Sequence, residues 1–262
     1  MGKKYIFGNW KMNLNIHEAS IFAEKLLQDV KGHDDVESAI FPGFLALQPL
    51  SLQLHRERSH IKLGAQNFYW RDEGAFTGEV SATQLRGLAK YALVGHSERR
   101  HIFQESDREV RFKVQAALRN GIVPVLCVGE TEMERNIGDT AHVINDQVTG
   151  GLLNVGSDNV DQVIIAYEPV WAIGGNEIPD PEDIVSAVKL IRRQVELMFG
   201  PKIAEKILVL YGGGANMSNA QVLLSTGING LLVGSASLIA PEFSGMVEIA
   251  HKISEEEAKS DE

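Results

Sequence analysis

Glu168 ends the apolar run Val163–Tyr167, His96 follows Tyr91–Val94 after one glycine, and Asn9 and Lys11 follow Tyr5–Gly8. Each has an ordinary explanation alone. A glutamate at a strand end caps or pairs, a histidine there is usually a satisfied structural group, and a lysine usually snorkels to the surface. Together they are a base, a proton-donating imidazole, a cation and an amide, a set able to move a proton and hold the resulting anion.

The glycines add a second requirement. Gly212-Gly213-Gly214 and Gly234-Ser235 follow the last two apolar runs. Backbone N–H groups reach an anion only where no side chain intervenes, so these stretches have the composition of a phosphate cradle. A Gly-rich loop ending in Lys-Ser/Thr and a strand–GxGxxG–helix unit are both missing from the sequence, which disfavours a nucleotide. His96 and His101 are not joined by any carboxylate spacing that completes a metal site, so neither a metal nor another cofactor is expected.

Eight short runs must position these groups: Tyr5–Gly8, Val36–Phe41, Ile61–Ala65, Tyr91–Val94, Ile122–Cys127, Val163–Tyr167, Ile207–Tyr211 and Gly230–Val233. They are nearly continuous in apolar residues, as strands covered on both faces are. Helical periods lie between them. The clearest is Pro181 to Phe199, with Ile184, Val188, Ile191, Val195 and Met198 on one face, Asp180 as N-cap, and Gly200-Pro201 as the stop. Eight such units without a Pro/Gly/Ser-rich linker predict an α/β fold, a (β/α)8 barrel forming one domain over residues 1–262. In that architecture the site lies at the carboxyl ends of the strands, where the polar residues stand.

The bulk numbers agree. The chain has 262 residues, is 44% apolar and carries a formal net charge of −10, which argues against a nucleic-acid partner. The lone Cys127 excludes an intramolecular disulfide. No stretch approaches a membrane span, and Met1-Gly2-Lys3-Lys4 leads into a run too short for a signal peptide, so a cytoplasmic setting is expected. The charged tail from Ser254 onward is expected to fray.

The motifs GNWKMN (8–13), GAFTGEVSA (74–82), VGHSERR (94–100), PVLCVGET (124–131), AYEPVWAIG (166–174) and YGGGANMSN (211–219) resemble those of triosephosphate isomerases, in order and over essentially the whole chain. The resemblance implies a phosphorylated sugar as substrate, Asn9 and Lys11 as binding groups, His96 as electrophile and Glu168 as base. It also implies a lid with Pro169-Val170-Trp171 as its stiff hinge and Ala172-Ile173-Gly174 as its tip, closing on a phosphate at Gly174, Gly214, Gly234 and Ser235. Glu98 is expected to pair with Lys11. The family buries the loop around Thr77 in a twofold dimer, and an exposed aromatic tip of Phe68, Tyr69, Trp70 and Phe76 would suit a homodimer here.

Some residues depart from the family pattern. The second lid hinge reads Gly175-Asn176-Glu177-Ile178-Pro179, Gly214 stands where Ser is common, and Ser235 stands where Gly is usual. These changes resemble a side branch that includes tetrulose-phosphate isomerases. Triose phosphate is therefore the leading substrate and L-erythrulose 1-phosphate the alternative. A metal-dependent epimerase lacks its ligand set, and a weakened binding relative would not need all four of Asn9, Lys11, His96 and Glu168.

Overall fold

Eight parallel strands close into a barrel in chain order in this computed structural model, which describes residues 2–174 and 179–260. They are β1 (Lys4–Asn9), β2 (Val36–Phe41), β3 (Lys62–Ala65), β4 (Tyr91–Val94), β5 (Val123–Val128), β6 (Ile164–Tyr167), β7 (Leu208–Tyr211) and β8 (Gly230–Val233). Phe7 in β1 stands opposite both Ala39 in β2 and Leu232 in β8, which seals the ring.

The strands look continuously apolar because both of their faces are covered. Phe7, Phe41, Tyr91, Leu93, Val125 and Leu210 fill the barrel interior, while Ile6, Ile40, Leu126, Ile165, Val209 and Leu231 pack outward with the helices. Four strands begin one residue later than their apolar runs. In each case the first residue's N–H is already used by the preceding turn: Ile61 donates to Ser59 Oγ, Ile122 to Ala117 O, Val163 to Val160 O and Ile207 to Ile203 O. A committed N–H cannot join a strand ladder.

The helix Pro181–Phe199 forms with Ile184, Val188, Ile191 and Val195 of its expected face buried and Met198 half-buried, and Gly200 ends it at φ 89°. Asp180 occupies the N-cap position, yet its side chain makes no capping hydrogen bond. The tail differs more. Instead of fraying at Ser254, the last helix runs from Ala240 to Ser260. Buried Ile253 and Ser254 pack inward, and the buried Lys4 ammonium at the start of β1 meets Glu257 at 2.8 Å. None of the described helices is long and apolar enough to cross a membrane.

Candidate active site

The chain leaves β1 through a left-handed turn, with Lys11 at φ 53° and Leu14 at φ 64°. That conformation costs an L-residue about 1–2 kcal/mol, and hydrogen bonds hold it here. The Lys11 N–H donates to Asn9 Oδ1 at 3.0 Å, and Gln66 Nε2 donates to Lys11 O at 2.7 Å and to Phe41 O at 2.8 Å. The turn lifts the Lys11 ammonium over the barrel mouth, where it meets Glu98 Oε1 at 2.6 Å. Both partners are partly exposed, so the pair positions the lysine more than it stabilises the fold.

His96 stands between β4 and the short helix Ser97–His101, which its own ring caps. The Glu98 N–H donates to Nδ1 at 3.3 Å, so Nδ1 presents a lone pair and the neutral ring carries its proton on Nε2. Nε2 lies 3.2 Å from Glu168 Oε1. The Asn9 side-chain amide lies within hydrogen-bond reach of the same nitrogen, at 3.3 Å.

Glu168 is buried at the end of β6. Its N–H donates to Val128 O at 2.7 Å, and its Oε2 accepts from the Ser97 N–H at 3.2 Å. Two glycines make room for it. A Cβ on Gly129 would fall 1.9 Å from Glu168 O, and one on Gly212 would fall 2.8 Å from Glu168 Cγ.

Pro169 and a single tight turn, Val170–Ala172, lead directly from this carboxylate to Ile173 and Gly174. The turn is anchored on Glu130, a wholly buried residue just past β5. Trp171 Nε1 donates to Glu130 Oε1 at 2.9 Å, the Tyr167 hydroxyl donates to both carboxylate oxygens at 3.1 and 3.2 Å, and the Val170 N–H donates to Glu130 O. Arg135 lies 3.9 Å from the centre of the Trp171 ring. Burial and then the neighbouring Glu130 push the Tyr167 and Tyr211 phenols well up, so both stay protonated. The Tyr211 hydroxyl is buried with no hydrogen-bond partner among the described residues.

The mouth encloses a cavity of ≈ 390 Å³ where Asn9, Lys11, His96 and Glu168 face Ile173, Gly174, Gly214, Gly234 and Ser235. Gly174 and Gly214 have φ of 73° and 54°. A Cβ on Gly214 would sit 3.3 Å from the carbonyl oxygen of Ala172, and one on Gly234 would sit 3.7 Å from Lys11 Cε. The cavity can therefore hold an anion on backbone donors beside a cation, with a carboxylate and an imidazole N–H close to whatever carbon chain the anion carries.

Other expected residues lie elsewhere. Glu98 lines an adjoining groove, Trp171 turns away to Glu130, and Thr77 sits on an exposed loop. The hinge 175–178 falls outside the described residues. The expected aromatic tip is only half present. Phe68 is buried in its own barrel, and Tyr69 and Trp70 are half-buried, with ring centres 4.1 Å apart. Phe76, 4.5 Å from Tyr69, stays on the surface beside Thr77. Gln66, Ser97 and Glu130 were missed by reading residues at strand ends for reactivity alone, and Gly212, read there as part of a cradle, also makes room for Glu168. Glu130 could have been found, since it too follows a strand.

The family model for triosephosphate isomerase matches residues 4–250. A triosephosphate isomerase of Carboxydothermus hydrogenoformans is 42% identical over 250 residues, covering 95% of this chain and 99% of the relative. Those of Natranaerobius thermophilus and Dictyoglomus thermophilum are each 40% identical, over 96% and 95% of this chain and 98% and 100% of their own lengths. Likeness of this extent covers every strand of the barrel and every group at its mouth, and the chain belongs to the triosephosphate isomerase family of aldose–ketose isomerases.

Proposed function

We propose that this enzyme interconverts dihydroxyacetone phosphate and D-glyceraldehyde 3-phosphate by proton transfer through an enediolate, with no cofactor. One observation carries the reading: a buried Glu168 carboxylate and the Nε2 of a neutral His96 lie 3.2 Å apart beside the Lys11 ammonium and a glycine-lined cradle. With the phosphate on the backbone donors of Gly174, Gly214, Gly234 and Ser235, the carbonyl oxygen of a three-carbon chain takes the place of Glu168 Oε1 on His96. The freed carboxylate removes a proton from the neighbouring carbon and the electron pair moves to the oxygen. His96 and Lys11 stabilise the resulting oxyanion, usually the dominant contribution to such a reaction. Glu168 then returns the proton to the other carbon, while His96 gives its Nε2 proton to one oxygen and receives one from the other.

Glu168 is bonded directly to Pro169, so closure of the lid would carry the carboxylate off the Ser97 N–H and toward the substrate. Closure also excludes water, from which an enediolate phosphate needs protection. Sulfate should compete with substrate for the cradle. Steady-state assays in graded sulfate check this, and the absence of competition would remove the phosphate assignment.

L-Erythrulose 1-phosphate remains the second reading because Gly214 offers no hydroxyl to the lid and Ser235 adds a side chain at the cradle. The deciding experiment is a coupled assay of the purified enzyme with three- and four-carbon ketose phosphates side by side. Triose is expected to be preferred. A tetrulose preference above about tenfold in kcat/KM, about 1.4 kcal/mol of transition-state discrimination, would transfer the assignment.

The same reading includes a homodimer and a cytoplasmic setting. Support for the dimer comes from the groove of ≈ 980 Å³ next to Lys11, whose wall includes Met12, Phe44, Leu45 and Phe103. Met12 is 99% exposed and Leu45 80%, an apolar surface that suits the Thr77 loop of a second copy. Sedimentation should give a dimer, and Thr77→Asp should shift it toward monomer. A wild type that stays monomeric at every concentration would refute the arrangement.

A further inference from the structure

We propose that His33, Asp35 and His251 bind a divalent transition-metal ion of the zinc class on the amino-terminal face of the barrel, the end opposite the cavity. His33 and Asp35 lie in the segment entering β2, and the Lys4 N–H donates to Asp35 O at 2.9 Å at the mouth of that face. His251 comes from the other end of the sequence, on the helix Ala240–Ser260. Spacing along the chain therefore gave no sign of the cluster, and weighing only His96 and His101 for metal missed it.

One ligand atom from each of the three residues lies within 4.8 Å of the other two. The two imidazoles stack with centres 3.8 Å apart and planes 16° from parallel. His251 Nδ1 is 2.9 Å from both Asp35 oxygens, and His33 Nε2 is 3.0 Å from Glu248 Oε1. Glu255 Oε1 approaches His251 Nε2 at 3.6 Å, and Lys31 Nζ stands 4.0 Å from Glu248. Two imidazoles and a carboxylate are a borderline-soft donor set that favours zinc, cobalt or nickel over magnesium or calcium. Tetrahedral bonds of about 2.0–2.1 Å put ligand atoms roughly 3.3 Å apart. The three groups need to close by no more than about 1.5 Å to reach that spacing, and at least one of the two stacked rings must turn so that both nitrogen lone pairs meet at the ion.

The carboxylates are ready for a cation. Burial alone would raise the Asp35 carboxyl, but hydrogen bonds from His251, its own backbone and Ser254 outweigh it and hold the group below the usual range. A hydrogen bond from His33 does the same for Glu248. These contacts now join each imidazole to a carboxylate. A metal would replace one of these contacts, leaving Glu248 and Glu255 as a further ligand or as partners of the second ring nitrogens. Bound there, the ion would tie the last helix to the start of β2.

The test uses the full chain, freed of metal with a chelator and titrated with cobalt(II) and zinc(II). One equivalent of cobalt should bind with visible tetrahedral absorption, and zinc should displace it and raise Tm. His33→Gln and His251→Gln should each weaken binding by at least about tenfold and abolish the Tm rise, while kcat/KM stays at the wild-type value. Should His251→Gln fail to fold, His33→Gln decides alone. No stoichiometric binding, or unchanged affinity in the folded variants, would mean that the cluster is a hydrogen-bonded clamp only and would overturn the proposal.

Discussion

Glu168→Gln should fold and lose isomerase turnover by about 10²–10⁴-fold or more, the contribution of a positioned general base. The amide keeps the shape that packs against Gly212, and its oxygen can still accept the Ser97 N–H that now meets Oε2 at 3.2 Å. Its NH2 then faces the His96 Nε2 proton, donor against donor, at the place of wild-type Oε1, 3.2 Å from that nitrogen. That mismatch should cost about 1–3 kcal/mol of stability, small enough to leave a folded enzyme at assay temperature. Circular dichroism with a melting curve separates the two effects. A folded variant that retains near-full turnover would remove Glu168 as the base.

The expected effect is large because the reacting groups are arranged by residues that carry no reactivity of their own. Strand positions were legible to within a residue because apolar runs covered on both faces leave a strong signal, and the errors at Ile61, Ile122, Val163 and Ile207 came from N–H groups used by the preceding turns. That Asn9, Lys11, His96 and Glu168 meet at one mouth was legible for a related reason. In a barrel of parallel strands, polar residues just past an apolar run must come to one mouth. What supports them was not legible. Gln66 reaches Lys11 across 55 positions of sequence and Glu130 reaches Trp171 across 41, so neither contact leaves a local pattern. Phe68 was misplaced because composition cannot tell an aromatic that folds back onto its own barrel from one that faces a partner. The tail was misread for the same reason: Lys4, the partner of Glu257, lies 253 positions away.

Lys11→Met should reduce kcat/KM by about 10²–10³-fold, the usual loss on removing one donor to a developing oxyanion, with little change in stability. The methionine keeps the length and apolar stem of the lysine and has no branch at Cβ, so the turn at φ 53° is no more strained than before. Glu98 loses its partner but is 39% exposed and can be solvated, which limits the cost to about 1 kcal/mol or less. Function has no such alternative. Lys11 is the one cation among the described residues lining the cavity, and Glu168 there is an anion that must work beside a phosphate. Two unit charges about 5 Å apart at an effective dielectric constant of about 20 interact by roughly 3 kcal/mol, so losing the compensating charge should raise KM as well as lower kcat. Competition by sulfate should weaken in the same variant, because the anion and the oxyanion share this ammonium. Steady-state kinetics with and without sulfate, run beside a melting curve, read all three quantities. A folded Lys11→Met enzyme within about tenfold of wild type, with undiminished sulfate competition, would mean that the lysine serves only its pair with Glu98.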